Sequence, residues 1–247
     1  MDEPNQNLTK RERRELRRQE KTERREQQGS KQRRNKILLW SIIGVAGALV
    51  IFGIFWLGSK SAAKTPKLPL DAVAGGDWVR GKNDSKVVLI EYSDFQCPAC
   101  SARYPFVKQA ESEFNDRVAF VFRHFPLPMH PNAKPAAWAA EAAGKQGKFW
   151  EMHDLLFEKQ AEWSGLDDPA NTFAQYAESL SLDKTQFQSD YSSDTVKKIV
   201  SDAVLAGERI PIEGTPTYYL GGKMLQPFST YEQLKQSLQD AVDKNKP

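Results

Sequence analysis

The only two cysteines of this chain stand three apart, in Cys97-Pro98-Ala99-Cys100. They follow the apolar run Val87-Val88-Leu89-Ile90 and open a helical pattern. A pair at that spacing can close a small disulfide ring or supply half of a metal site. Zinc would need two more ligands, and His124, His130 and His153 do not fall at finger spacing. A purely structural disulfide would close too short a loop to stabilise much. No metal ligand and no cofactor is expected.

The third use is redox chemistry. At a helix N-terminus, unpaired N–H groups and the helix dipole favour negative charge on Cys97. They draw its pKa from about 8.5 toward roughly 3.5–7.5. Cys100 follows one turn later, less exposed, placed to resolve a mixed disulfide on Cys97. Pro98 at the first helical position costs no hydrogen bond. Glu91, six residues before Cys97, interrupts an apolar strand; by alternation it can point beneath the pair. A half-buried carboxyl there would have a raised pKa and could pass protons to or from Cys100. The alternative is a strand-end acid facing water. Gly214-Thr215-Pro216-Thr217 precedes a returning strand, where proline is tolerated at the strand start.

Charge is uneven along the chain. Residues 1–36 hold 13 Lys/Arg and 7 Asp/Glu, a net +6, and residues 59–247 hold 22 and 25, a net −3. The globular part is therefore mildly acidic, unlike a nucleic-acid-binding domain with a basic patch on its fold. The tail has too few apolar residues for a core and reads as disordered or as a solvated helix. It could be an RNA-binding arm, or a cytoplasmic positive-inside flank. Residues 37–58 carry no charge, and 22 residues at about 1.5 Å each span roughly 33 Å, enough for one transmembrane helix. The run exceeds a signal-peptide core, although Ser61-Ala62-Ala63 resembles a cleavage site. Orientation by basic residues leaves the N-terminus in the cytoplasm and the rest outside, where disulfides persist.

Residues 59–81 read as a linker and 82–247 as an α/β domain. Strands are predicted at 87–92 and 118–122, around a helix from Cys97 with Pro105 inside it. Residues 132–206 turn helical: an alanine-rich helix up to Gly144, a second around Phe149 to Phe157, then 169–182 and 194–206. Strand returns at 217–220, with a Gly221-Gly222 hairpin and 223–225. Ser229 to Glu232 reads as a capping box before a last amphipathic helix. His130 could approach the cysteines; His153, between aromatics, reads as a core residue, as do Trp138, Phe149 and Trp150.

Together these residues resemble the thioredoxin superfamily and, within it, the DsbA-type thiol oxidoreductases, over about residues 86–244. Glu91, Cys97, Cys100, Pro105 and Thr215-Pro216 carry the resemblance. So do the runs SDFQCPAC, FPLPMHP and QGKFWEMHDLLF, which look like the membrane-anchored or secreted DsbA-like subgroup. The dipeptide Pro98-Ala99 departs from the Pro-His of the best-known member. The resemblance implies a thioredoxin fold with a helical insertion at about 127–206, preceded by the transmembrane helix. It implies a redox-active Cys97–Cys100 disulfide, catalytic Glu91, and substrate contacts at Pro98, Ala99, Thr215 and Pro216, with a cis Thr215–Pro216 bond. The expected function is extracytoplasmic disulfide formation in exported proteins by a monomer, reoxidised by a quinone-linked membrane partner. A reductase or isomerase on the same scaffold, or a non-catalytic binding or chaperone module, is the alternative.

Overall fold

The computed structural model describes residues 68–245, together with Trp40 and Gly47. The basic tail, the rest of the apolar run 37–58 and residues 59–67 of the expected linker lie outside the described residues. Trp40 and Gly47 are helical. Among the described residues, no helix is long and apolar enough to cross a membrane.

Among the described residues, five strands form one sheet: β1 (Trp78–Gly81), β2 (Val87–Ser93), β3 (Val118–His124), β4 (Thr217–Leu220) and β5 (Lys223–Met224), in the order β1-β3-β2-β4-β5. β2 and β3 are parallel, and every other neighbouring pair is antiparallel. The parallel pair needs a crossover, which helix α1 (Pro98–Phe114) supplies. β2 and β3 are central and mostly buried on both faces, hence their near-continuous apolar runs.

Between β3 and β4 come α2 (Ala133–Gly144), α3 (Phe149–Glu158), the short α4 (Gln160–Trp163), α5 (Ala170–Ser179), α6 (Lys184–Ser192) and α7 (Asp194–Gly207). This is the expected helical insertion. α8 (Tyr231–Lys244) closes the described chain.

Four elements differ from those the sequence predicts. The linker ends before Trp78, because Trp78–Gly81 pairs as an edge strand with β3. Trp78 stacks on Phe149 with ring centroids 4.2 Å apart. Its indole lies so close over Gly144 that any Cβ there would fall 2.5 Å from the ring. α4 and α6 have no predicted counterpart: α4 is a single turn that buries only Trp163, and the α6 sequence KTQFQSDYS is polar and buries only Phe187. The final capping box is displaced by one residue. Thr230 is the N-cap, accepting from the Gln233 N–H, and Gln233 Oε1 accepts from the Ser229 N–H.

Alternation in β2 sorts its side chains. Val87 and Leu89 pack with Val107 and Phe114 of α1 and Leu234 and Leu238 of α8. Val88, Ile90 and Tyr92 face the opposite layer with Ile210 and Tyr219. Glu91 follows Leu89 in this period and so shares the face covered by α1, the helix that carries the cysteines. The insertion has its own aromatic core, in which Phe95, Phe122, Phe149, Phe157 and Trp163 are buried.

Candidate redox site

α1 begins where β2 ends, and Cys97 is its N-cap, with extended backbone angles. The Cys97 carbonyl accepts from the N–H groups of Cys100 and Ser101, closing the first turn over Pro98. Pro98 therefore sits where its missing N–H costs nothing. The two cysteines are not joined by a disulfide in this structure. Cys97 is 6% exposed, at the rim, and Cys100 is fully buried.

That difference of one helical turn splits their acidities. Cys97 falls from 9.0 to about 5, first because the Cys100 thiol hydrogen-bonds to its sulfur. The Thr215 side chain and the backbone N–H groups of Cys100 and Ala99 add to this, against a smaller cost of burial. Cys100 is pushed well above its ordinary value, by burial first, then by its bond to Cys97 and the nearby charge of Glu91. The pair is poised to be one thiolate and one thiol.

Thr215 and Pro216 lie across from Cys97, joined by a cis bond as the sequence reading expects. The Cys97 sulfur is 3.2 Å from the Thr215 carbonyl oxygen, to which the thiol donates. A thiolate cannot donate. The Thr215 hydroxyl, buried and with no hydrogen bond of good geometry among the described residues, is the group that can turn to it.

Glu91 is where strand alternation placed it. In register it stands between Phe122 of β3 and Tyr218 of β4. Burial raises its carboxyl from 4.5 to about 7, and the charge of Glu111 adds to that. The hydroxyls of Ser93 and Tyr218 pull the other way, although neither closes a hydrogen bond of good geometry. A cavity of about 10 Å³ lined by Glu91, Glu111, Val107 and His153 lies alongside. It is about the size of one water, and polar enough to hold it. Glu111 is itself bonded to Arg80 at 2.7 Å, and Arg80 also holds Asp154 at 2.8 Å.

The loop between β2 and α1 is braced through Asp94, Gln96 and Gln160, to which the sequence alone assigns no role. Asp94 Oδ1 accepts from the Gln96 N–H at 2.7 Å. Its Oδ2 accepts from the Leu127 N–H at 2.9 Å and lies 2.6 Å from His130 Nδ1. Gln96 Oε1 accepts from the Asn132 N–H, and its amide donates to the Ser164 carbonyl. Gln160 donates to the carbonyls of Phe95 and Cys97. An aspartate two residues before a loop N–H is a turn signal readable from sequence; its partners in the insertion are not.

His130 is thus bound to Asp94, with no hydrogen bond to either cysteine. His153 is a core residue, as read: its ring meets Phe122 at 4.8 Å, and burial pushes its pKa down to about 4. His124 is buried against Glu141 at 2.9 Å. Among the described residues no group of His, Cys, Asp and Glu is arranged to hold a metal ion.

A family model described as Thioredoxin matches residues 74–240. The Na(+)/H(+) antiporter NhaA 1 of Mycolicibacterium vanbaalenii is 36% identical over 198 residues, covering 77% of this chain and 31% of that protein. Its namesake in Salinispora arenicola is 39% identical over 148 residues, covering 60% of this chain and 22% of that protein. The chain therefore spans less than a third of the length of these curated relatives. Among solved structures, BdbD from Bacillus subtilis in its oxidised form is 23% identical with a TM-score of 0.63, over 72% of this chain and 98% of that one. Wolbachia pipientis alpha-DsbA1 is 19% identical with a TM-score of 0.62, over 70% and 94%. A thioredoxin-like oxidoreductase from Silicibacter pomeroyi DSS-3 is 25% identical with a TM-score of 0.56, over 69% and 92%.

Proposed function

The chain belongs to the thioredoxin family, and from that premise we propose that it is a thiol:disulfide oxidoreductase that donates the Cys97–Cys100 disulfide to dithiol substrates. The observation that carries the reading is the split within the pair, Cys97 drawn down to about 5 and Cys100 pushed up. A stabilised thiolate favours the reduced protein, which makes its disulfide the stronger oxidant.

The steps balance as follows. A substrate thiolate attacks the Cys97 sulfur of the oxidised pair; the Cys97–Cys100 bond breaks, and the electron pair leaves on Cys100. Cys100 takes a proton, which Glu91, titrating near neutrality beside it, can supply. A second substrate thiolate attacks the substrate sulfur of the mixed disulfide. The substrate disulfide forms, and Cys97 leaves as the thiolate its low pKa favours. Two electrons have passed to the protein. Run backwards, with Cys100 attacking the mixed disulfide, the same geometry reduces substrates.

The remaining parts of the proposal rest on the sequence. Residues 37–58 anchor the chain, with residues 1–36 in the cytoplasm and the redox domain outside the cell membrane. Substrates are thiols of exported proteins, bound at Pro98, Ala99, Thr215 and Pro216 by a monomer, with no nucleic acid. A quinone-linked membrane partner restores the disulfide. The antiport named for the curated relatives belongs to proteins of which this chain covers under a third.

The test is the reduction potential of the purified protein. A value near −120 mV supports disulfide donation, whereas one well below about −200 mV favours the reductase or isomerase reading. Cys97→Ser should reduce dithiol oxidation to background, and unchanged turnover would sink this mechanism; full cellular function in a Cys97→Ala/Cys100→Ala variant would instead favour the binding-module alternative.

A further inference from the structure

Beside Cys97 lies a groove of about 220 Å³, walled by Ala99, Thr215, Pro216, Met224, Leu225 and Arg103. It is smaller than the roughly 300–1,000 Å³ of small-molecule sites, so it suits a peptide side chain better than a cofactor. Its Thr215 wall is 3.2 Å from the Cys97 sulfur. An extended peptide advances about 3.3–3.6 Å per residue. A substrate whose cysteine has reached Cys97 therefore lays the side chain one or two residues away into this groove.

The walls are mostly apolar and Met224 is exposed, but one of them is a cation. Arg103 lies on α1 six residues after Cys97. Its Nε donates to the Phe228 carbonyl at 3.2 Å and its Nη1 to the Ala99 carbonyl at 3.1 Å. These two bonds fix the guanidinium at the groove, and carbonyls do not neutralise its charge. Among the described residues no carboxylate pairs with it. A guanidinium has five N–H donors, so most of the fork is left for a ligand. Guanidinium and carboxylate match in planar, two-bond geometry.

Resting on the oxidoreductase reading above, we propose that Arg103 makes this groove select substrate peptides with an Asp or Glu one or two residues from the reacting cysteine.

The experiment uses the full-length oxidised protein and three dithiol peptides that differ at one position, Glu, Gln or Lys beside the first cysteine. The expected order of kcat/KM is Glu over Gln over Lys. The Glu-to-Gln ratio should be about fivefold, carried by KM, as befits one partly exposed charge-assisted pair. It should shrink as salt is raised. In Arg103→Gln the ratio should fall to about one, and in Arg103→Glu the Lys peptide should be preferred. Arg103→Lys should retain part of the discrimination. Any change in Cys97 reactivity acts on all three peptides alike and cancels in the ratio. Equal oxidation of the three by the parent protein, or an unchanged ratio in Arg103→Gln, overturns the inference and leaves the oxidoreductase reading standing. Oxidation of none of them overturns both.

Discussion

Glu91 and Asp94 are carboxylates three residues apart on the same strand-to-helix junction, and the fold treats them in opposite ways. Asp94 is saturated: two backbone N–H groups and the His130 ring meet its two oxygens at 2.6 to 2.9 Å. Glu91 has no ion pair among the described residues, two hydroxyls that face it without closing a bond, a second acid across a water-sized cavity, and a pKa raised to about 7. A carboxylate with its acceptors filled is a structural brace. One held near neutrality by burial is a proton carrier. The junction needs both, one to hold Cys97 in place and one to serve Cys100.

The comparison breaks most visibly at Asp94. Asp94→Ala removes the acceptor for three donors, two of them backbone groups in buried or half-buried loops. Each donor orphaned in this way costs about 1–3 kcal/mol, not fully additively. A loss of roughly 3–5 kcal/mol is expected, read as a fall in the urea midpoint. Asp94→Asn keeps one acceptor oxygen and should fall between, which preserves the comparison if the alanine variant does not fold. An unchanged midpoint in both would mean that the insertion does not brace this loop.

Glu91→Gln should act in the opposite sense on stability. The folded-state pKa lies above the ordinary value, so the folded protein binds the proton more tightly than the unfolded chain. For a carboxyl, that favours the fold at low pH and is lost as pH climbs from 4.5 through about 7. The gap corresponds to a penalty on the order of 3 kcal/mol at alkaline pH. Glutamine does not titrate, so the variant should show a flatter stability profile between pH 4.5 and 7 and stand above the parent at pH 8. Its dithiol oxidation should slow tenfold or more, the scale of a lost general acid. Parallel pH profiles for parent and variant would remove Glu91 as a titrating group.

What the sequence makes legible follows from how local each signal is. Cys97, Cys100 and Glu91 carry their chemistry in residue type and in spacings of three and six, and both strand alternation and helix period extend from them. Thr215-Pro216 is distant in sequence but is marked by its own dipeptide and the strand that follows. The brace at Asp94 is not legible, because its partners Leu127 and His130 lie 33 and 36 residues away in the insertion. β1 escapes because four residues, Trp78–Gly81, are too few to set an alternation of their own behind the linker-like Gly75-Gly76, and only pairing with β3 makes them a strand. α6 escapes because one buried phenylalanine sets no period.

The smallest effect is also the finest measure of the difference between the two acids. Tyr218 stands opposite Glu91 in register on β4, and its buried hydroxyl has no partner of good geometry. That hydroxyl favours the ionised carboxylate, so it holds the Glu91 pKa below what burial alone would give. Tyr218→Phe removes it without touching Asp94. The Glu91 midpoint, read from the pH dependence of stability or from the infrared band of the protonated carboxyl, should rise by about half a unit. The shift is small because a bond that is not closed contributes less than a full hydrogen bond to a charge. The pH profile of Cys97 alkylation should stay in place, since its sulfur is governed by Cys100 and Thr215. A midpoint that falls instead would mean that the hydroxyl accepts from the protonated acid. Tyr218 would then hold the proton on Glu91, and the carboxyl would be a better-kept proton store than the present geometry makes it.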